Sequence, residues 1–251
     1  MDREHTREAL KVALDIGAYM LSSGAEMERV EDSIERMCSS FGIKQVEVFA
    51  ITYMIAATVS EEKREGVTEI RRIRKFNRNM NRLDALNALS REICDTKMEP
   101  KKAKEKAEAI AAEKTYGMGE RMVIYAIISA AFSLFFGGNA YDCILGGMIG
   151  AAVAPVDIYL GKSGLNQYVQ LFLCSVFCGV LANLGGYLWT EITPELVSIG
   201  NIMIFIPGVI FTCALQELFA GNMLSGGTRL ADAIMISLVI ATGFAAVNII
   251  M

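Results

Sequence analysis

The sequence contains a single histidine, His5, among 251 residues. One histidine cannot build a histidine-based metal site or a serine–histidine–aspartate triad. Six cysteines are present, yet their positions (38, 94, 143, 174, 178 and 213) match neither a zinc-binding spacing nor a disulfide framework. We therefore expect no metal, no cofactor and no enzymatic activity.

Charge is scarce in the second half of the chain. After residue 121 there are only six acidic and two basic residues, whereas the first 121 residues carry 22 of each. The whole chain is 53% hydrophobic, above the 45–50% typical of soluble domains. This contrast predicts two domains, a charged head at 1–118 and a membrane domain at 119–251. The lysines of the head are balanced by acids, which gives no support to nucleic-acid binding.

The head shows the pattern of a small α+β domain. Apolar residues repeat every three or four positions through 3–40, with a break at Ser22, Ser23 and Gly24, and again through 79–95. Between them, 45–60 is rich in Val, Ile, Thr and aromatic residues, and we interpret it as one strand, buried on both faces, of a β-hairpin. The turn of the hairpin is predicted at residues 61–66.

The second half contains apolar segments of the length that crosses a bilayer. We predict five spans, at about 122–138, 143–161, 168–190, 196–220 and 230–251. Basic residues concentrate before the first span, and the N-terminus lacks a signal peptide. This pattern predicts a multi-pass protein of a bacterial-type inner membrane, with a cytoplasmic N-terminus and the last span ending outside. The fold class is thus a mainly α membrane protein.

The fourth predicted span is interrupted by Pro207 and Gly208. Proline removes a backbone donor and clashes with the preceding turn, so carbonyl groups near residues 203–204 lose their partners. Broken helices of this kind often line transporter binding sites, although the same pair can simply kink a helix.

Four ionisable residues are expected near the cytoplasmic ends of the predicted spans: Asp157, Glu217, Arg229 and Asp232. Charges at membrane depth are costly and often mark a transport pathway. They form a candidate gate or coupling site, in which Arg229 could hold a substrate carboxylate. The alternative is that these residues lie at the interface and are solvated.

Three further polar residues fall inside predicted spans: Asn183, Asn201 and Thr212. Each could hydrogen-bond a polar solute, or simply a neighbouring helix. We keep them as candidate substrate-binding or gating residues.

The run from Pro207 to Arg229 resembles the Pro-Gly, acid, Gly-x-x-Arg pattern of the threonine/serine exporter family. The head motif, with Gly24, Ala25, Arg29, Val30 and Glu31, resembles that family's N-terminal motif. Family members have about ten spans in two fused halves, and this sequence is similar to the first half alone. The resemblance implies a smaller membrane subunit that supplies the second half, as in split succinate exporters.

These observations favour a subunit of a secondary exporter for a small polar metabolite, either threonine and serine or a dicarboxylate such as succinate. Its partners would be the lipid bilayer and the smaller subunit, and a homo-oligomer is an open alternative. The second hypothesis is a membrane-anchored ligand-sensing or regulatory protein, in which the spans mainly anchor the head.

Overall fold

The computed structural model describes residues 3–61, 64–74, 76, 78–113 and 116–250. It is mostly helical, with one small sheet. The chain forms two compact units: the first comprises Met1–Thr115 and Cys213–Arg229, and the second comprises Tyr116–Thr212 and Leu230–Met251. The first unit therefore includes a segment that the sequence pattern assigns to the membrane domain.

The first unit packs helices on one face of a sheet. The elements in its N-terminal part are α1 (Arg3–Ser23), α2 (Met27–Ser40), β1 (Val46–Ile51), β2 (Met54–Glu61), β3 (Arg64–Arg72), α3 (Met80–Thr96) and α4 (Pro100–Ala112). The predicted helix break after Ser23 is confirmed. Gly24 adopts a φ of 109°, a left-handed conformation that closes α1 and that glycine accepts most easily.

The predicted hairpin is wrong in one respect, because residues 45–60 form two strands. The chain turns at Thr52 and Tyr53, a turn that contains neither glycine nor proline. As a result, β1, β2 and β3 form an antiparallel three-stranded sheet. Residues 62 and 63 of the predicted turn lie outside the described residues.

The expectation that the first strand is buried on both faces is also wrong. Ala50 and Ile55 belong to the apolar core against the helices, whereas Phe49 and Ile70 are more than half exposed on the other face. The alternating pleat thus gives this sheet one core face and one open face.

The apolar half contains six helices: α5 (Met118–Phe135), α6 (Ala140–Lys162), α7 (Gln167–Leu188), α8 (Pro194–Ile202), α9 (Gly208–Phe219) and α10 (Met223–Ile250). Within the described part of the chain, α5, α6, α7 and α10 are long and apolar enough to cross a membrane. They correspond to four of the five predicted spans, although residue 251 lies outside the described residues.

The fourth predicted span, 196–220, is interrupted as predicted. It consists of two short helices, α8 and α9, of 9 and 12 residues. At 1.5 Å per residue they are about 14 and 18 Å long, so neither alone crosses a hydrocarbon core of about 30 Å. The reason is local, since Pro207 has no N–H to continue a helix.

Glycines allow the helices of the second unit to pack closely. A Cβ built on Gly150 would lie 2.5 Å from the Tyr125 carbonyl oxygen, and one on Gly200 would lie 2.1 Å from Ser133 Oγ. Such small residues bring helix backbones together where apolar burial alone gives no advantage over lipid. These glycines therefore serve contacts inside the unit.

Candidate substrate site

An almost fully buried ion pair lies in the first unit. Arg229 Nη1 lies 3.0 Å from Glu217 Oε1, and the two side chains are 6% and 3% exposed. Glu217 is on α9 and Arg229 on α10. The predicted proximity of these two residues is therefore present in the structure.

A tight hairpin brings the pair together. Gly221, with a φ of 87°, turns the chain, and the Asn222 N–H donates to the Glu217 carbonyl at 2.9 Å. A Cβ on Gly226 would lie 2.8 Å from the Leu218 backbone nitrogen, so only glycine allows this approach of the two helices. The glycine spacing of the sequence motif is thus what lets Arg229 reach Glu217.

The head motif meets the same ion pair. Arg229 Nη2 donates to the Ala25 carbonyl oxygen at 3.2 Å, and this bond is buried. Two motifs about 200 residues apart in sequence therefore form one site, which sequence reasoning treated as separate.

The other predicted head residues stabilise the fold of the head or lie on its surface. Glu31 Oε1 accepts a 2.7 Å hydrogen bond from the Ala50 N–H and so fixes α2 to β1. Val30 is completely buried in the core, and Arg29 is exposed on α2. Gly24 shapes the loop that presents Ala25.

Thr52 is a member of this region that sequence reasoning missed. Its hydroxyl is 3.0 Å from the Thr228 hydroxyl and 3.5 Å from the Ser225 carbonyl oxygen, and Thr52 is buried. It lies in the β1–β2 turn, which the sequence did not reveal. These bonds join that turn to the first turns of α10.

The two remaining predicted acids belong to the second unit, where each is bound by a tyrosine. Asp157 accepts from the Tyr125 hydroxyl at 3.0 Å and from Gln170 Nε2 at 2.6 Å. Asp232 accepts from the Tyr168 hydroxyl at 3.1 Å. Asp157 is thus stabilised by two neutral donors, in contrast to Glu217.

The side chains of the three uncharged candidates form hydrogen bonds with residues of the helices. Asn183 donates to the Gly179 carbonyl at 3.0 Å and to Asn248. Asn201, completely buried, accepts from the Ser129 hydroxyl and donates to the Val197 carbonyl. Thr212 donates to the Gly208 carbonyl at 3.0 Å. Their observed bonds are those of helix packing and helix backbone.

The interruption at Pro207 and Gly208 leaves free acceptors. Among the described residues, no backbone N–H donates to the carbonyl oxygens of 203–205. Helix hydrogen bonding resumes where the Phe211 N–H donates to the Pro207 carbonyl at 2.9 Å. In a low-dielectric environment such carbonyls need a partner, which makes this stretch a candidate polar site.

Four apolar helices of membrane-crossing length, an interrupted helix and a buried ion pair together define a multi-pass membrane protein of the transporter class. A family model, ThrE, described as "Putative threonine/serine exporter", matches residues 11–251. The chain belongs to this threonine/serine exporter family.

Two relatives support the assignment at low identity. The "Threonine/serine exporter" of Corynebacterium glutamicum is 19% identical over 241 residues, which cover 93% of this chain and 49% of the relative. The "Probable threonine/serine exporter" of Mycobacterium tuberculosis is 22% identical over 249 residues, covering 97% and 46%. The chain spans about half the length of these relatives. No solved structure matches the chain significantly.

Proposed function

We propose that this chain is one subunit of a secondary exporter of small amino acids, with threonine and serine as the first candidate substrates and dicarboxylates such as succinate as the second. The observation that carries the proposal is the family match over residues 11–251. A buried ion pair and an interrupted helix, both features of transport pathways, support it.

A partner is part of the proposal. The chain covers 49% and 46% of two relatives, so a smaller membrane subunit would supply the remaining half of the transporter. A homo-oligomer is the alternative assembly. The test is efflux from cells that express this chain with and without a co-encoded small membrane protein, screened over amino acids and dicarboxylates. Efflux of neither class in either strain would contradict the proposal.

The proposed orientation places the head, 1–118, in the cytoplasm and the domain 119–251 in the bacterial inner membrane. Lys101, Lys102, Lys104 and Lys106 precede the first apolar helix, and basic residues favour the cytoplasmic side. If α8 and α9 together make one crossing, a reporter fused after residue 250 is external. Active alkaline phosphatase fused at that position supports five crossings. An inactive phosphatase, together with fluorescence from a green fluorescent protein fused at the same position, contradicts five crossings.

The proposed substrate-binding or gating residues are Glu217 and Arg229 in the first unit and, as separate candidates in the second unit, Asp157, Asp232 and Pro207. We expect Arg229→Ala and Glu217→Ala to abolish efflux while the protein still reaches the membrane. Glu195→Gln, at an exposed acid on α8, is the matched control. Normal efflux from both alanine variants would exclude this pair from the pathway.

A second candidate function, ligand sensing by the head, is favoured by one observation. A polar cleft of about 440 Å³ lies between α2 and the start of β1, lined by residues that include Glu35, Lys44 and Glu47. If the head is a sensor, amino acids stabilise the detergent-solubilised full chain against heat, and Lys44→Ala with Glu47→Gln removes that stabilisation without changing efflux.

A further inference from the structure

One end of the sheet in the first unit exposes aromatic and apolar side chains. Tyr53 in the β1–β2 turn, Ile70 on β3 and Phe76 just beyond β3 are all exposed. The Tyr53 and Phe76 rings pack edge to face, with their centroids 5.5 Å apart. A contiguous apolar surface outside the membrane-crossing helices marks a place where the protein contacts another molecule or a membrane.

Two arginines flank these apolar residues. Arg72, the last residue of β3, lies on the same face of the sheet as Ile70, and Arg74 follows two residues later. Both are exposed, and neither forms an ion pair with another residue in the described ranges. Arg71, by contrast, is neutralised by Asp15, whose carboxylate lies 2.5 Å from its Nε. Two positive charges are therefore free to bind an anion.

The backbone holds these side chains at the same end of the sheet. The Ile73 N–H donates to the Tyr53 carbonyl oxygen at 2.8 Å, and Met54 pairs with Arg72 across β2 and β3. The β1–β2 turn and the end of β3 therefore carry the aromatic and the basic groups side by side. Five residues form this basic–aromatic patch: Tyr53, Ile70, Arg72, Arg74 and Phe76.

The same end of the sheet is attached to a helix of membrane-crossing length. The Thr52 hydroxyl is 3.0 Å from the Thr228 hydroxyl and 3.5 Å from the Ser225 carbonyl oxygen, both in the first two turns of α10. With 28 residues, α10 is about 42 Å long, whereas a hydrocarbon core is about 30 Å thick. Because Arg229 also lies in these first turns, we expect a membrane boundary there, beside the turn that carries Tyr53.

We propose that the basic–aromatic patch binds the headgroups of anionic lipids at the membrane surface beside the start of α10. The guanidinium groups of Arg72 and Arg74 pair with lipid phosphate oxygens, which suit the planar donor fork of arginine. The rings of Tyr53 and Phe76 lie in the interfacial layer that aromatic side chains favour. A zwitterionic lipid carries an ammonium group that opposes the arginines, so binding depends on the net negative charge of the lipid.

The lipid site is distinct from the candidate substrate residues and does not depend on the proposed substrate, partner or orientation. It needs only the membrane character of the chain and the contacts within the first unit. Through Thr52, the patch adjoins the first turns of α10. A lipid bound to the patch would therefore hold the β1–β2 turn against the membrane surface at this helix.

The test measures how closely the patch approaches lipid in the purified full chain, with one copy in each nanodisc. Trp189 is the single tryptophan of the sequence, so Trp189→Phe combined with Phe76→Trp places one fluorophore in the patch. Phosphatidylcholine brominated on its acyl chains quenches tryptophan at short range. We expect strong quenching when the nanodisc also contains anionic phosphatidylglycerol, and little when phosphatidylcholine is the only lipid.

Variants in the same background then identify the groups that recognise the lipid. Arg72→Gln with Arg74→Gln should raise the fraction of anionic lipid needed for half-maximal quenching about fivefold or more, because each basic residue at a membrane surface contributes about this factor. Arg36→Gln with Arg91→Gln removes the same charge from exposed positions on α2 and α3, and should change nothing. Circular dichroism and gel filtration show that each variant is folded.

Several results would overturn the lipid site. Equal quenching in neutral and anionic nanodiscs, or equal quenching in the two arginine double variants, would show that lipid charge is not recognised by the patch. Absence of quenching in both lipids would place the patch away from the membrane.

Other occupants of the patch give different results. A blue shift of the tryptophan that appears only in nanodiscs loaded with two copies would make the patch a contact between copies of the chain. Loss of quenching when inorganic phosphate replaces chloride at constant ionic strength would make it a site for free phosphate. Either result overturns the lipid site, and neither bears on export, which the efflux assay measures separately.

Discussion

The two units of the molecule stabilise acidic side chains in different ways, with Glu217 buried and Asp157 and Asp232 half-buried. In the first unit Glu217 faces a guanidinium, and its oxygens have no hydrogen bond of good geometry among the described residues. In the second unit Asp157 and Asp232 accept hydrogen bonds from tyrosine hydroxyls. A charged partner makes Glu217 dependent on Arg229, whereas neutral donors leave an acid nearly independent of any cation.

The largest effect on stability is expected when only one charge of the Glu217–Arg229 pair is removed. Arg229→Met leaves a buried carboxylate without its cation and should cost about 3–5 kcal/mol of unfolding free energy. The double variant Glu217→Gln with Arg229→Met removes both charges and should cost clearly less. Denaturant unfolding of the detergent-solubilised protein measures both. Equal losses in the single and double variants would show that the unpaired Glu217 charge is not the cause of the loss.

Close packing of helix backbones at glycine, which the first unit shows at Gly226, recurs in the second unit. Gly200→Ala places a methyl 2.1 Å from Ser133 Oγ and 2.7 Å from the Ser129 carbonyl oxygen. Overpacking of this kind typically costs about 1–3 kcal/mol. Gly208→Ala is the matched control, since nothing lies within 4 Å of its built Cβ. Thermal unfolding that ranks the two variants equally would contradict this account.

Asp157→Asn tests how much an acid bound by uncharged donors contributes to stability. The amide can still accept from the Tyr125 hydroxyl, but its NH2 group faces Gln170 Nε2, which is also a donor. We expect a loss of about 1 kcal/mol, the value of one hydrogen bond, and much less than that of Arg229→Met. Gln170→Glu combined with Asp157→Asn restores a donor–acceptor pair and should recover most of the loss. A loss as large as that of Arg229→Met would mean that Asp157 has a cationic partner.

Periodic patterns predicted the helices of both halves well, because helix faces and apolar length are written locally in the sequence. Four of the predicted spans match apolar helices of membrane-crossing length, and Pro207 correctly predicted the interruption of the fourth span, 196–220. The turn at Thr52 and Tyr53 was not predictable, since it contains no turn-forming glycine or proline.

The candidate site was predictable only in pieces. Glu217 and Arg229 could be grouped because both were expected near the cytoplasmic ends of predicted spans, and the head motif could be recognised on its own. Their meeting through the Ala25 carbonyl depends on tertiary packing across about 200 residues, which no local pattern encodes. The partners of Asp157 and Asp232 were missed for the same reason, because a tyrosine on another helix gives no sequence signal.

The smallest expected effect compares the buried pair with an ion pair on the surface of the same unit. Arg7 Nε donates to Glu69 Oε1 at 2.6 Å, and Arg7 is 59% exposed. This hydrogen bond, with the charges of Arg7, Lys11 and Arg71, lowers the pKa of Glu69 below its ordinary value of 4.5, although partial burial opposes the shift.

Because the pKa of Glu69 is lower in the folded state, its contribution to stability is present above pH 4.5 and is lost as the pH falls through the folded-state pKa. Solvent screens the pair, so we expect less than about 1 kcal/mol. Glu69→Gln should therefore lower the melting temperature slightly at pH 7 and not at pH 3, measured against the wild type at each pH. A larger decrease in melting temperature at pH 3 than at pH 7 would exclude this ion pair as the cause. Salt at 0.5 M should reduce the effect of Glu69→Gln at pH 7 and leave the effect of Arg229→Met largely unchanged.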